Sequence, residues 1–226
     1  MEPPSNEKTL TVGFLNIHGQ TKMHHPKQLQ IEYLLKEHKL DVLHLQETNV
    51  DESTFERCPF ISNNFKIIFQ NNETGFGVCS LVHKRFPTEN VIQHPSGRLI
   101  AFDIGEITLA NVYLPSGGDA KDQRENFIGQ TIPNTLLAAK KNTLIGGDFN
   151  CIIAPLDCTH HPESKMSTNL KRITSIFNWK DTFRTLHPNS PTYSHFYNRQ
   201  MSGSGLTQGG SRLDRSYLKG NLRTVR

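Results

Sequence analysis

Leu144-Ile145-Gly146-Gly147-Asp148-Phe149-Asn150 is an apolar run that stops at two glycines and then presents a carboxylate and an amide separated by one residue. It reads as a strand ending in a site. In an extended segment residues i and i+2 point to the same side, so Asp148 and Asn150 share a cleft while Phe149 turns back into the core. Gly-Gly-Asp alone is equally a polar turn after a buried strand, and the rest of the chain decides between the two.

Short apolar runs recur upstream between turn signals: Leu10 to Leu15, Val42 to Leu45, Ile67 to Phe69, Val78 to Val82, Leu99 to Phe102 and Ile107 to Tyr113, with Thr143 to Ile145 leading into the opening segment. Runs of this length read as strands. Helical spacing is expected over Pro26 to His38, over Gln123 to Lys141 with an interruption at Pro133, and over Ser167 to Trp179, where Leu170, Ile173, Ile176 and Phe177 share one face. Many strands with a few helices and no strict βαβ alternation indicate an α/β sandwich of packed sheets flanked by helices. Asn198 to Gly210, rich in Gly, Ser, Gln and Asn, reads as a long hairpin loop.

At 226 residues, with 35% hydrophobic and 20% charged residues, the chain suits one soluble globular domain. No apolar run approaches the roughly 18 residues of a membrane span, and no membrane partner is expected. Met1 to Lys8 reads as a flexible terminus without the pattern of a secretory signal, so an intracellular location is expected. A net charge of +4 with 11 histidines is compatible with a polyanionic partner without requiring one. The four cysteines form no CxxC pair and are expected reduced. Cys151 and Cys158 followed by His160 and His161 match none of the common structural zinc spacings.

Five separated pieces place polar groups at strand ends: Leu15-Asn16-Ile17-His18-Gly19, Leu45-Gln46-Glu47-Thr48, Asn111-Val112-Tyr113-Leu114-Pro115, Gly147-Asp148-Phe149-Asn150 and Ser211-Arg212-Leu213-Asp214. Singly, each is a cap or a turn. Together, from Leu10 to Leu218, the series resembles the endonuclease/exonuclease/phosphatase superfamily, and within it the apurinic-like endonuclease domain of non-LTR (LINE-type) retrotransposons. The resemblance implies a DNase I-like, four-layered α/β sandwich over residues 9–226. It also implies a Mg²⁺-dependent (or Mn²⁺-dependent) endonuclease that nicks double-stranded DNA in the nucleus, leaving a 3′-hydroxyl that primes the reverse transcriptase domain of the same polypeptide.

Carried onto this chain, the resemblance makes Glu47 the direct metal ligand with Asn16 beside it, since hard Mg²⁺ favours oxygen donors. Asp148 orients or deprotonates the attacking water, Asn150 and Tyr113 donate to phosphate oxygens, and Asp214 supports the site. Thr192 and Ser194 fall where the family has small hydroxyl residues, and Phe196, Tyr197, Arg199 and Arg212 are expected against DNA, with Met201 also in the hairpin.

Three departures accompany the likeness. His18 stands where relatives usually carry Asn or Asp, and Asp157-Cys158 stands where relatives often read Asp-Arg. Relatives also finish with a Ser-Asp-His triplet beyond the Arg-Leu-Asp motif, which is not met before Arg226, so the chain is expected to lack that motif and its strand. A DNA-binding module without activity, or an apurinic-site repair nuclease or phosphoesterase of the same fold, are the alternative readings.

Overall fold

The computed structural model describes residues 9–18, 25–72, 77–140, 142–201 and 204–221, without the side chains of 25, 199–201 and 204–207. Met1 to Lys8, expected to be flexible, lie outside the described residues, as do the side chains of Arg199 and Met201. Strands β1 (Val12–Asn16) and β2 (Val42–Gln46) pair in parallel around helix α1 (His25–Glu37). Two short helices, α2 (Glu52–Glu56) and α3 (Pro59–Asn64), lead to the antiparallel β3 (Phe65–Asn71) and β4 (Gly77–His83), giving one sheet in the order β1-β2-β4-β3.

The second sheet begins with β5 (Glu89–Gln93), β6 (Leu99–Ile104) and β7 (Ile107–Tyr113). Helix α4 (Lys121–Asn126), a π-helical turn (Phe127–Thr131) and α5 (Ile132–Thr135) carry the chain to β8 (Asn142–Asp148), parallel to β7. Then follow α6 (Pro162–Lys165), α7 (Thr168–Ile176), β9 (Lys180–Asp181) and α8 (Thr182–Leu186), and after them β10 (His195–Met201), β11 (Ser204–Ser211) and β12 (Asp214–Lys219). The six-stranded order is β5-β6-β7-β8-β12-β9, and β10-β11 form a separate hairpin.

Strand alternation assigns the layers. On β2, Leu43 and Leu45 pack with Ile31 and Leu35 of α1 and with Phe55 and Ile61 of α2 and α3. Val42 points the other way, joining Val78 and Val82 of its own sheet with Ile100, Phe102 and Leu109 of the other. On β7 the opposite face carries Ala110 and Val112 against Phe127, Ile128 and Ile132, with Leu170 and Ile173 of α7. Helices, sheet, sheet, helices: the fold is the expected four-layered α/β sandwich. Each large apolar side chain so buried contributes roughly 1.5–3 kcal/mol.

The layer between the sheets also carries a polar bolt. Gln46 donates to Asn111 Oδ1 at 2.7 Å, and Asn111 donates in turn to the carbonyls of Leu45 (3.0 Å) and Cys79 (2.9 Å). All of these groups are buried, so breaking one leaves an unsatisfied amide or carbonyl at about 1–3 kcal/mol. His44 shares this layer, 2.7 Å from the Ser80 hydroxyl and stacked on Phe14; burial pushes its imidazole down to about 3, so it is neutral.

The two glycines of the opening segment have separate reasons. A Cβ on Gly146 would come within 2.5 Å of the Phe14 ring, which fills that space, and Gly147 adopts φ +134 with a Cβ aimed at the Val112 carbonyl oxygen.

Four expectations are corrected. Asn198 to Gly210 is mostly paired strand, His195 to Met201 against Ser204 to Ser211, and not a long loop. Helix over Gln123 to Lys141 is widened into π geometry ahead of Pro133, which has no N–H to donate, and ends by Thr135. β5 is an added edge strand, exposed at every residue. On α7, Leu170 and Ile173 are buried but Ile176 is 64% exposed, because the helix ends there.

Candidate active site

The C-terminal ends of β7 and β8 and the start of β12 lie side by side. In register, Tyr113 pairs with Asp148, and Asp148 pairs with Asp214 across the antiparallel ladder. Arg98, at the head of β6, extends this row: its carbonyl accepts the Tyr113 N–H at 2.9 Å and its guanidinium lies 5.1 Å from the Tyr113 ring centre. The other wall comes from the first sheet, where Asn16 and Gln46 pair at the ends of β1 and β2 and Glu47 follows. All of these but the buried Gln46, with Asn150, His18, Ser194 and His195, line one cavity of about 780 Å³.

Asn16 joins the walls. Its amide nitrogen donates to Glu47 Oε1 at 2.8 Å and to Asp148 Oδ2 at 2.9 Å, while its oxygen accepts the His18 N–H at 2.9 Å. It therefore holds the two carboxylates beside each other. The other oxygen of Asp148 accepts the Asn150 N–H at 2.9 Å, and the Asn150 amide donates to the Leu114 carbonyl at 2.8 Å. The device that brings Asp148 and Asn150 together is thus a side-chain-capped turn and not continued extension, since Asn150 has φ 49. Phe149 does turn inward, edge-on to Tyr217.

His18 (φ 46) and Glu47 (φ 52) share this left-handed conformation. For non-glycine residues it costs of order 1 kcal/mol or more, and such strain concentrates at functional sites. Here it bends both strand ends so that Glu47 enters the cleft.

Electrostatics follow from this crowding. Burial first, then the Asp214 charge and more weakly Glu47, push the Asp148 carboxyl up to about 7, against the opposing hydrogen bonds from Asn150 and Asn16. Asp214 is also raised, by burial, with Ser194, His18 and His195 acting the other way. Burial and then Glu47 raise the Tyr113 hydroxyl to about 12, so it stays a donor.

Three carboxylates in one cleft fit a hard cation by their chemistry. Glu47, half-buried and held by Asn16, would supply a ligand oxygen, while Mg²⁺ is typically held by one or two carboxylates plus water and phosphate. Among the described residues no group of three His, Cys, Asp or Glu forms a self-sufficient metal cage.

The remaining expected residues divide. Ser194 lines the cavity and its hydroxyl accepts the N–H groups of Leu213 (3.1 Å) and Asp214 (3.0 Å), fixing the start of β12. Thr192 is exposed and meets Ser190 at 2.8 Å, away from the cavity lining. Phe196 is 59% exposed on the hairpin, edge-on to Tyr193, and Tyr197 lines a second cavity.

Arg212, expected at a DNA phosphate, is buried instead. Its guanidinium donates to Asp157 (2.9 Å) and Asp181 (2.7 Å). Arg215 and Arg184 converge on Asp157 as well, at 2.9 and 2.6 Å. Burial would raise the Asp157 carboxyl, but the Arg215 charge and the bonds from all three arginines bring it down to about 2. Asp157, whose neighbour Cys158 stands where relatives often carry an arginine, is the hub of this lattice, whose Arg212 and Arg215 flank Asp214 in sequence.

Sequence reasoning also missed Arg98, the one Lys or Arg lining the cavity among the described residues. Its Nη1 is buried without a protein partner. The signal, a cation preceding the Leu99 strand, is too common to single out.

No protein-family model matches the chain. Its fold is similar to that of an AP endonuclease from Archaeoglobus fulgidus, with 22% identity over 93% of this chain and 87% of that one and a TM-score of 0.72. It is similar also to a 3′-5′ exonuclease from Neisseria meningitidis (21% identity, 92% and 86% covered, TM-score 0.70). A Neisseria 3′ phosphatase bound to a product DNA hairpin matches at 18% identity, 93% and 87% coverage and TM-score 0.68. Fold and site together define a DNase I-like α/β sandwich with an acidic cleft across the ends of both sheets.

Proposed function

We propose that the chain is a divalent-metal-dependent DNA endonuclease domain. The observation that carries this reading is Asn16 donating to both Glu47 and Asp148, with Asp214 and the neutral donors Tyr113 and Asn150 around the same cavity. Phosphodiester hydrolysis needs a base near water and donors aimed at the phosphate oxygens. Asp148, held at both oxygens and raised toward neutrality, accepts the proton of the attacking water. Tyr113 and the second N–H of the Asn150 amide donate to phosphate oxygens, and the Arg98 guanidinium lines the same cavity and sets its positive charge toward them. Asp214 supports Asp148 from the neighbouring strand. A Mg²⁺ ion at Glu47, replaceable by Mn²⁺, would neutralise phosphate charge and polarise its oxygen.

The finer reading is a LINE-type retrotransposon endonuclease, acting in the nucleus on double-stranded DNA to leave a 3′-hydroxyl for a reverse transcriptase in the same polypeptide. The five motifs in order and the β10-β11 hairpin beside the cleft support it, the hairpin serving target choice through Phe196 and Tyr197. In Mg²⁺, supercoiled plasmid is converted to nicked circles, and EDTA or Asp148→Ala abolishes the conversion; supercoils that persist in every condition overturn the reading.

A repair nuclease or phosphoesterase is the second reading, supported by the names of the proteins of like fold. Cleavage of an abasic duplex far above an intact one, or release of a 3′-phosphate without nicking, decides for it.

A further inference from the structure

Beyond the acidic cleft lies a second cavity of about 600 Å³, and His195 lines both. The row across the second sheet runs Arg98, Tyr113, Asp148, Asp214, one per strand from β6 to β12, and Ser194 then ties the hairpin to Asp214. At about 4.8 Å per strand the row spans roughly 14 Å. His195, next to Ser194, lines both cavities and so joins the Asp214 end of this row to the second one.

That cavity has the opposite character to the cleft. It is lined by Lys165, His160, His161 and Tyr197, and its one carboxylate, Glu163, sits 3.1 Å from His161. Lys165 is fixed in place: its ammonium donates to the Ser211 hydroxyl at 2.7 Å and lies 4.5 Å from the Tyr197 ring centre. Of its three N–H donors, two have no partner among the described residues. The segment carrying it is clipped to the catalytic strand, since the Lys165 carbonyl accepts the Ile152 N–H at 2.9 Å just after β8. The His195 imidazole is held below its ordinary value first by burial and then by the charges of Lys165 and His18, with Asp214 acting the other way.

We propose that this second cavity is a nucleic-acid subsite, in which Lys165 binds a backbone phosphate flanking the scissile bond and Tyr197 carries the adjoining sugar or base. It rests on the reading of the cleft as a DNA site and adds to it where the strand goes next and which cation receives it. Ammonium contacts to phosphate release counterions, and aromatic faces accept bases without sequence preference.

The test measures affinity of the whole chain for a fluorescein-labelled, pre-nicked DNA duplex across a NaCl series. Lys165→Gln is expected to weaken binding and lower the slope of log affinity against log salt by about 0.9. Lys165→Arg, and Lys36→Gln on α1 outside both cavities, keep the slope. Tyr197→Leu weakens binding without changing the slope, while Tyr197→Phe does not. Shortening the duplex on one side of the nick removes the Lys165→Gln effect, and shortening the other side leaves it. An unchanged slope in Lys165→Gln, with wild-type binding and nicking intact, overturns the subsite alone. Binding that shows the slope change but never yields cleavage supports the subsite and overturns the endonuclease reading instead.

Discussion

Asp148 and Asp214 stand directly opposite each other on β8 and β12, two carboxylates paired across an antiparallel ladder. Like charges in that position destabilise a sheet by up to about 1 kcal/mol, and each is also raised by burial. The fold retains this cost at one place only along β12, where the strand enters the cleft.

Removing the repulsion separates stability from activity. Asp214→Asn keeps an acceptor at the same position, so in EDTA its thermal midpoint is expected to rise by a few degrees while plasmid nicking falls. Asp148→Asn relieves the same pair but removes the carboxylate proposed as the base, with nicking expected to drop about 10²–10⁴-fold. A midpoint that falls in both variants sinks this account.

The same crowding predicts stabilisation by a cation. Mg²⁺ binding only the folded chain adds about 2.7 kcal/mol at a hundredfold excess over its dissociation constant. Calorimetry is expected to show a Mg²⁺-dependent rise in midpoint that shrinks in Glu47→Gln. Equal shifts in both proteins place the ion elsewhere.

Asp157 supplies a pH signature. Its carboxyl lies at about 2 in the folded chain against an ordinary 3.8. A depressed carboxylate contributes stability that is complete above about pH 4 and is lost as pH falls toward 2. Urea unfolding over that window is expected to show a loss of order 1–2 kcal/mol from this group, absent in Asp157→Asn. Asp157→Ala, which leaves the buried Arg212 and Arg215 with Asp181 as their remaining carboxylate partner, is expected to cost up to about 3 kcal/mol at pH 7.

Gly146→Ala tests the close approach of Phe14. Overpacking there is expected to cost about 1–3 kcal/mol, with most of the loss recovered in the double variant Gly146→Ala, Phe14→Leu. A simple sum of the single effects in the double-mutant cycle counts against direct contact.

The strand ends were legible in sequence because apolar runs stop abruptly at polar residues, which is how Asn16, Glu47, Tyr113 and Asp148 were found. The hairpin was not. Gly209 and Gly210 lack strand propensity and lie under the rings of Tyr197 and Tyr193, a fit visible only when the strands pair. Arg212 was misjudged for a related reason: an arginine in a motif looks available until Asp157 and Asp181, distant in sequence, are folded onto it. β5 carries no alternation because, among the described residues, all five of its side chains stay exposed.

The Gln46 to Asn111 bolt ends one residue before Glu47 and two before Tyr113, so the two jaws of the cleft are pinned together right behind their working residues. Packed sheets tied at that point do not slide past one another. On the proposed function, a mouth of fixed gape transfers the work of adjustment to the DNA, whose readiness to bend becomes part of what is selected.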